Sequence, residues 1–302
     1  INEVLERYDV DGVELDYCRH LPLFRYGQGL LHLETMNAFM RDVKALVQQH
    51  GESKGKALKT LVRVPPSFDA IRLEGIELET WIRESLADVF VLAAMTSAAN
   101  PEIDIRRAVQ CAADNEVSIL TGFDVRTRLV SPQGGYEKSP PQVVRAIAHN
   151  GYVQGADGVH IFNYDVHRAG LHRGSKGYDN PSDADLQLLH DLRDPERLAR
   201  LDRCYHVWSE ETPKGTCSYS LGSHPGQLPR KLAMQSRGAN EACALRLVIE
   251  DDIPAGLAEG QVGSTELRLR LTEHEDCLDR ILCEVNGKPM DLQTAGQISN
   301  SD

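Results

Sequence analysis

Short apolar runs and amphipathic stretches take turns over roughly the first 200 residues, and that alternation constrains the fold more than any single motif. It begins with "DGVELDY", Asp11 to Tyr17. A helix is expected from Glu34 to His50, with Met36, Phe39, Met40, Val43 and Val47 at three-to-four spacing and Gly51 closing it. "KTLVRVPPS" (59–67) reads as a strand halted by Pro65 and Pro66, and "IELETWIRESL" (76–86) as a helix turning Ile76, Trp81, Ile82 and Leu86 inward. "DVFVLAA" (88–94) is the next strand; "PEIDIRRAVQCAADN" (101–115) is its helix, opened by Asn100 as cap and Pro101 as first residue. "VSILTGFDV" (117–125) leads to a helix from Ser139, through Pro140 and Pro141, to about Tyr152. "DGVHIFNYD" (157–165) and a helix around Asp183 to Arg193 complete the series. Five strands, each followed by a helix, require a parallel sheet with right-handed crossovers, because no tight turn can join parallel neighbours.

From about Cys204 the pattern changes. "TCSYSLG", "EACALRLVIED", "TELRLRLTE" and "DRILCEVNGKPM" alternate with period two, and Asn286-Gly287 is a hairpin signal. The expected organisation is an α/β domain over 1–203 and a small antiparallel β-sandwich over 204–292, joined through Trp208 to Lys214. A disordered tail is expected over 293–302.

Composition narrows the partners. A net charge of -12 and a pI near 5.4 disfavour nucleic acid and anionic membranes, which need clustered Lys and Arg. No apolar run of about 20 residues and no charged-then-apolar leader is present, so neither a membrane span nor an intact signal peptide is expected. The seven cysteines, at 18, 111, 204, 217, 243, 277 and 283, form no CxxC or Cys/His cluster. That argues against a zinc site or a disulfide framework. Cys111 and Cys283 read as small core residues.

In an α/β barrel the reactive groups gather at the carboxyl ends of the strands. Those ends carry Glu14, Asp16, Arg19 and His20; Arg63 and Ser67; Met95 and Thr96; Asp124 and Arg126; Asn163, Tyr164, Asp165 and His167. Alternation turns Val13, Leu15 and Tyr17 toward helices and leaves Glu14 and Asp16 on the other face, about 6.5 to 7 Å apart along the strand. Two inward carboxylates are costly unless paired. Either Arg63 and Arg19 neutralise them as an ion-pair network, or acids and arginines together build a site for a polar substrate. Such an inventory suits glycosidic bond hydrolysis, in which one carboxylic acid protonates the leaving oxygen and a second carboxylate is nucleophile or activates water. Tyr17, Tyr164 and Asn163 would then hold sugar faces and hydroxyls, with Arg19, Arg63 and Asp165 as further substrate contacts.

"DVDGVELDYCRH", "LVRVPPSFDAIRLEGIELETWI", "ADVFVLA" and "ADGVHIFNYD" together resemble the glycoside-hydrolase-like TIM-barrel proteins, the group labelled glycosyl hydrolase-like family 10, over roughly residues 1 to 200. The resemblance implies a carbohydrate-active enzyme with its site at the top of the strands and a β domain behind it; the activity expected here needs no metal or organic cofactor. Two better-known patterns meet the first strand. Family 18 chitinases carry DGxDxDxE there, and this chain offers Asp11, Gly12, Glu14 and Asp16 but has Cys18 where their acid stands. The α-amylase and α-galactosidase groups place an Asp nucleophile at this strand end, which Asp16 matches, with Glu14 where the amylase-type arginine would be. The expected catalytic order is Asp16, then Glu14, then Asp124. A (β/α)8 barrel needs eight strands and five are found, matching the fourth to the eighth, so an N-terminal segment or a partner is expected to cover the open edge. Two rivals remain: a non-catalytic carbohydrate-binding barrel, and a metal-dependent lyase or aldolase-type barrel with Glu14, Asp16 and Asp124 as oxygen ligands for Mg²⁺ or Mn²⁺.

Overall fold

The computed structural model describes residues 1–18, 21–93, 103–124, 126–127, 137–162, 164, 183–205, 244–268 and 282–291. By compactness the chain divides into Ile1–Asp251 and Asp252–Asp302.

The first unit is α/β. Strands β1 (Gly12–Asp16), β2 (Lys59–Val64), β3 (Val89–Ala93) and β4 (Ser118–Asp124) are followed by a small antiparallel pair, β5 (Arg126–Thr127) with β6 (Glu137–Lys138), and then by β7 (Gly158–Phe162). The main sheet is parallel throughout, in the order β1-β2-β3-β4-β7, and curls into a half-barrel. Helices α1 (Asn2–Arg7), α2 (Leu33–Lys54), α3 (Phe68–Arg72), α4 (Leu78–Arg83), α5 (Ile105–Ala112), α6 (Pro141–Val153), α7 (Asp183–Leu192) and α8 (Pro195–Leu198) complete it. Among the described residues none of these helices is long and apolar enough to cross a membrane.

The main core lies between the outer face of the sheet and the helices. Val62, Val64, Phe90, Leu92, Ile119 and Phe123 meet Ile76, Trp81, Ile82 and Leu86, all buried as their spacing predicts. Burying each such side chain contributes about 1.5–3 kcal/mol. Trp81 satisfies its indole N–H on Asn37 Oδ1 at 2.8 Å, so a polar atom reaches the core without an orphaned donor. Register is locked at the amino end of the sheet by a repeated device. Asp88 Oδ2 accepts from Thr60 N–H and Asp157 Oδ2 from Ile119 N–H, each at 2.8 Å. At β1 a glycine is required instead, since a Cβ on Gly12 would stand 2.0 Å from the Lys59 carbonyl oxygen.

Three expectations shift. Gly51 does not close α2; the helix continues to Lys54 and ends on Gly55 in the left-handed region, φ 62. Gly51 is a packing glycine, where a Cβ would meet the Lys56 carbonyl oxygen at 2.7 Å as the chain folds back. Phe39, counted on the inner stripe, is exposed. Helix α5 starts at Ile105 rather than 101, because Asp104 is tied to the turn after β2: its N–H donates to Pro66 O, and its carboxylate accepts from Phe68 N–H. Asn100 and Pro101 lie outside the described residues.

The alternating "EACALRLVIED" forms no strand over residues 244–250. That segment lies against α6. The amide of Asn150 donates to Val248 O at 2.9 Å and accepts from Glu250 N–H at 3.1 Å, doing for this backbone what a neighbouring peptide group does in a sheet. Asp251 anchors the segment. It accepts from Arg203 Nη2 at 2.6 Å and Tyr205 Oη at 2.6 Å, and meets His149 Nε2 at 3.0 Å.

In the second unit, Asp252 caps the short helix α9 (Ile253–Ala258) by accepting from Ala255 N–H. Residues 265–268, expected in a strand, join none. Strands β8 (Cys283–Val285) and β9 (Lys288–Met290) pair antiparallel about Asn286 and Gly287, whose φ values of 52 and 75 are those of the expected two-residue hairpin.

Candidate active site

Register dictates which side chains share the inner face of the half-barrel. Glu14 stands opposite Leu61, and Asp16 opposite Arg63; Arg63 stands opposite Val91, and Val91 opposite Leu120. Ala93, Gly122 and His160 follow one row on, with Phe162 beyond. As expected, Val13 and Leu15 pack toward the helices, so Glu14 and Asp16 point into the hollow. Val91, Ala93, Leu61, Val89 and Leu120 make an apolar floor together with Cys18, which is wholly buried.

On that floor stands a polar cluster. Asp16 is held at both oxygens: Oδ1 accepts from the Cys18 backbone N–H and Oδ2 from Arg63 Nη1, each at 2.8 Å. The Arg63 side chain is 1 % exposed and that of Asp16 is 32 % exposed, so the pair spans the boundary between protein interior and water. Arg63 Cζ lies 4.3 Å from the ring centroid of Phe162 on β7, a cation–π contact. Glu14, with a side chain 46 % exposed, has Oε1 3.6 Å from His160 Nε2. β1 and β7 are the two ends of the sheet, and only its curl brings Glu14 and His160 together.

Electrostatics separates the members. Burial, the largest cause, pulls the His160 imidazole below its ordinary value; Glu14 draws it up and Arg63 draws it down, and the net direction is down. His160 therefore favours its neutral form more than a free histidine does. Burial pushes the Cys18 thiol up to about 12, which leaves it without acid–base or nucleophilic function at neutral pH.

The remaining sequence candidates divide. Tyr17 is not in the hollow: its ring lies 5.5 Å from that of Trp81 and its hydroxyl 3.3 Å from Met40 Sδ, on the helix side. That follows from the same alternation that turns Glu14 and Asp16 inward. Ser67 is a helix cap, accepting from Ala70 N–H. Tyr164 is half-buried just beyond β7. Asp124 ends β4, but its side chain, like that of Arg126, lies outside the description, as do Arg19, His20, Met95, Thr96, Asn163, Asp165 and His167.

His160 and Phe162 were not among the sequence candidates. The signal was present in "GVHIF", where period two places Gly158, His160 and Phe162 on one face. Among the described residues no group of three or more His, Cys, Asp and Glu side chains converges as metal ligands. No family model matches the chain, and no curated protein matches it.

Proposed function

We propose that this chain is a glycoside-hydrolase-like protein that cleaves glycosidic bonds of a polysaccharide or oligosaccharide in the hollow of its half-barrel. On this reading the five parallel strands are βα units of a (β/α)8-type barrel, and the C-terminal hairpin belongs to an accessory β domain. One observation carries it: two carboxylates from alternate positions of one strand, Glu14 and Asp16, reach water side by side on the concave face. Asp16 is fixed by two donors, which suits a carboxylate that meets the developing positive charge at the anomeric carbon. Glu14 is the more exposed and, among the described residues, has the His160 imidazole 3.6 Å away, which suits proton transfer to and from the leaving oxygen. The test is release of reducing ends from a panel of glycans. Asp16→Asn and Glu14→Gln should each lower it by about 10²–10⁴-fold in folded protein, and full activity in Asp16→Asn would overturn the reading.

A second reading, a barrel that binds sugar without cleaving it, is favoured by the tie of both Asp16 oxygens and by the inert Cys18 at the position of the chitinase acid. Calorimetric binding of an oligosaccharide that is never hydrolysed would decide for it.

A further inference from the structure

Residues 244–251, "ALRLVIED", lie on α6 without joining a strand, and every one of them is exposed or half-buried. Burial of apolar side chains therefore contributes little to holding them, and polar anchors do most of it. The amide of Asn150 takes the backbone of Val248 and Glu250, donating to one and accepting from the other. That contact is blind to side chains, because any two residues spaced by one offer the same carbonyl and N–H.

Asp251 supplies the selectivity. Arg203 grips it with two parallel bonds, Nε to Oδ2 at 3.1 Å and Nη2 to Oδ1 at 2.6 Å, the fork that fits a carboxylate. Tyr205 Oη donates to Oδ2 at 2.6 Å, and His149 Nε2 stands 3.0 Å from Oδ1. These partners are set on their own side of the contact. Arg203 Nη1 also donates to Leu198 O at 2.7 Å and Leu201 O at 2.8 Å, and Cys204 N–H donates to Gln142 O on α6. A receptor fixed in this way loses little freedom when the aspartate arrives. Glu250 is different. Its partner Arg106 has a side chain 57 % exposed, so that ion pair is screened by water and adds little.

We propose that α6, with Arg203 and Tyr205, is a clamp for an extended peptide carrying an aspartate three positions after its first backbone anchor, and that the chain's own residues 244–251 fill it reversibly. The segment is held as a ligand is held, and it leaves as a unit while the half-barrel stays folded. This inference is independent of the carbohydrate reading.

The experiment is fluorescence anisotropy of a labelled, amidated ALRLVIED peptide with the full chain, unaltered and carrying Glu250→Lys with Asp251→Lys, which frees the clamp and leaves its walls intact. The freed chain should bind the peptide. The unaltered chain should bind it at least about tenfold more weakly, since the tethered segment competes at an effective concentration on the order of millimolar. On the freed chain, Asn for the last Asp of the peptide, or Asn150→Ala in the protein, should each cost at least about tenfold; Gln for the Glu should cost less than about fivefold. If the doubly altered chain does not fold, native-state hydrogen exchange on the unaltered chain decides. The Glu250 amide should then exchange through a local opening that denaturant barely affects, while amides of β2 and β3 exchange by global unfolding. Equal binding by both chains, no binding by a folded freed chain, an Asn peptide as good as the Asp peptide, or a Glu250 amide that exchanges only with global unfolding overturns the inference and makes 244–251 a fixed part of the fold.

Discussion

Arg63 donates from Nη1 to Asp16 Oδ2 across 2.8 Å, and the two partners live in different media, the arginine enclosed and the aspartate a third exposed. The pair is therefore unequal to mutation. Asp16→Ala leaves a guanidinium charge where water does not reach, at a cost of about 3–5 kcal/mol. Arg63→Met leaves a carboxylate that water can still solvate, at about 1–2 kcal/mol. Urea denaturation of the two variants should give that order, and equal or reversed losses would show that the pair is not set at the boundary described.

His160 carries a pH signature. Its folded value lies below the ordinary 6.5, so the folded protein holds fewer protons on it than the unfolded chain does. The contribution to stability is complete above 6.5 and is lost as pH falls from there through the folded value. An NMR titration should place the imidazole below 6.5, and His160→Gln should flatten this part of the stability profile.

Asp251 works at lower pH and in another place. Burial by itself would raise its carboxyl, but hydrogen bonds from His149, Arg203 and Tyr205 outweigh burial and hold it well below the usual carboxylate range. Its contribution is present above the ordinary 3.8 and is lost as pH falls below that toward the folded value. Thermal melts of the unaltered chain and of Asp251→Asn should therefore differ most near neutral pH and converge in acid. Hydrogen exchange in residues 244–250 should rise in the variant, because Asp251 ends the segment that Asn150 holds.

Thiol labelling separates Cys18 from Cys204. Cys18 is buried with its thiol pushed up to about 12, whereas Cys204 is exposed. Peptide mapping after brief iodoacetamide treatment of the native protein should find Cys204 alkylated and Cys18 intact, with Cys18 reacting only in denaturant. Rapid native labelling of Cys18 would mean that the floor of the hollow is open.

Periodicity in the chain was enough to locate all five strands and the inward face of the helix bearing Trp81, because strand and helix impose repeats of two and 3.6 on whatever must be buried. The same alternation put Glu14 and Asp16 on one face and, followed through, put Tyr17 on the other. Residue chemistry also made Pro65 and Pro66 the end of β2 and Asn286-Gly287 a turn. Tertiary structure alone decided the rest. It made Gly51 a packing position rather than a terminus, delayed α5 through the tie of Asp104, and drew 244–250 out of a strand and onto α6. Above all it brought His160 and Phe162 against Glu14 and Arg63, from the opposite end of the sheet. Local propensity governs only near neighbours along the chain, and contacts across the hollow exist because five twisted strands curl far enough for their inner side chains to meet.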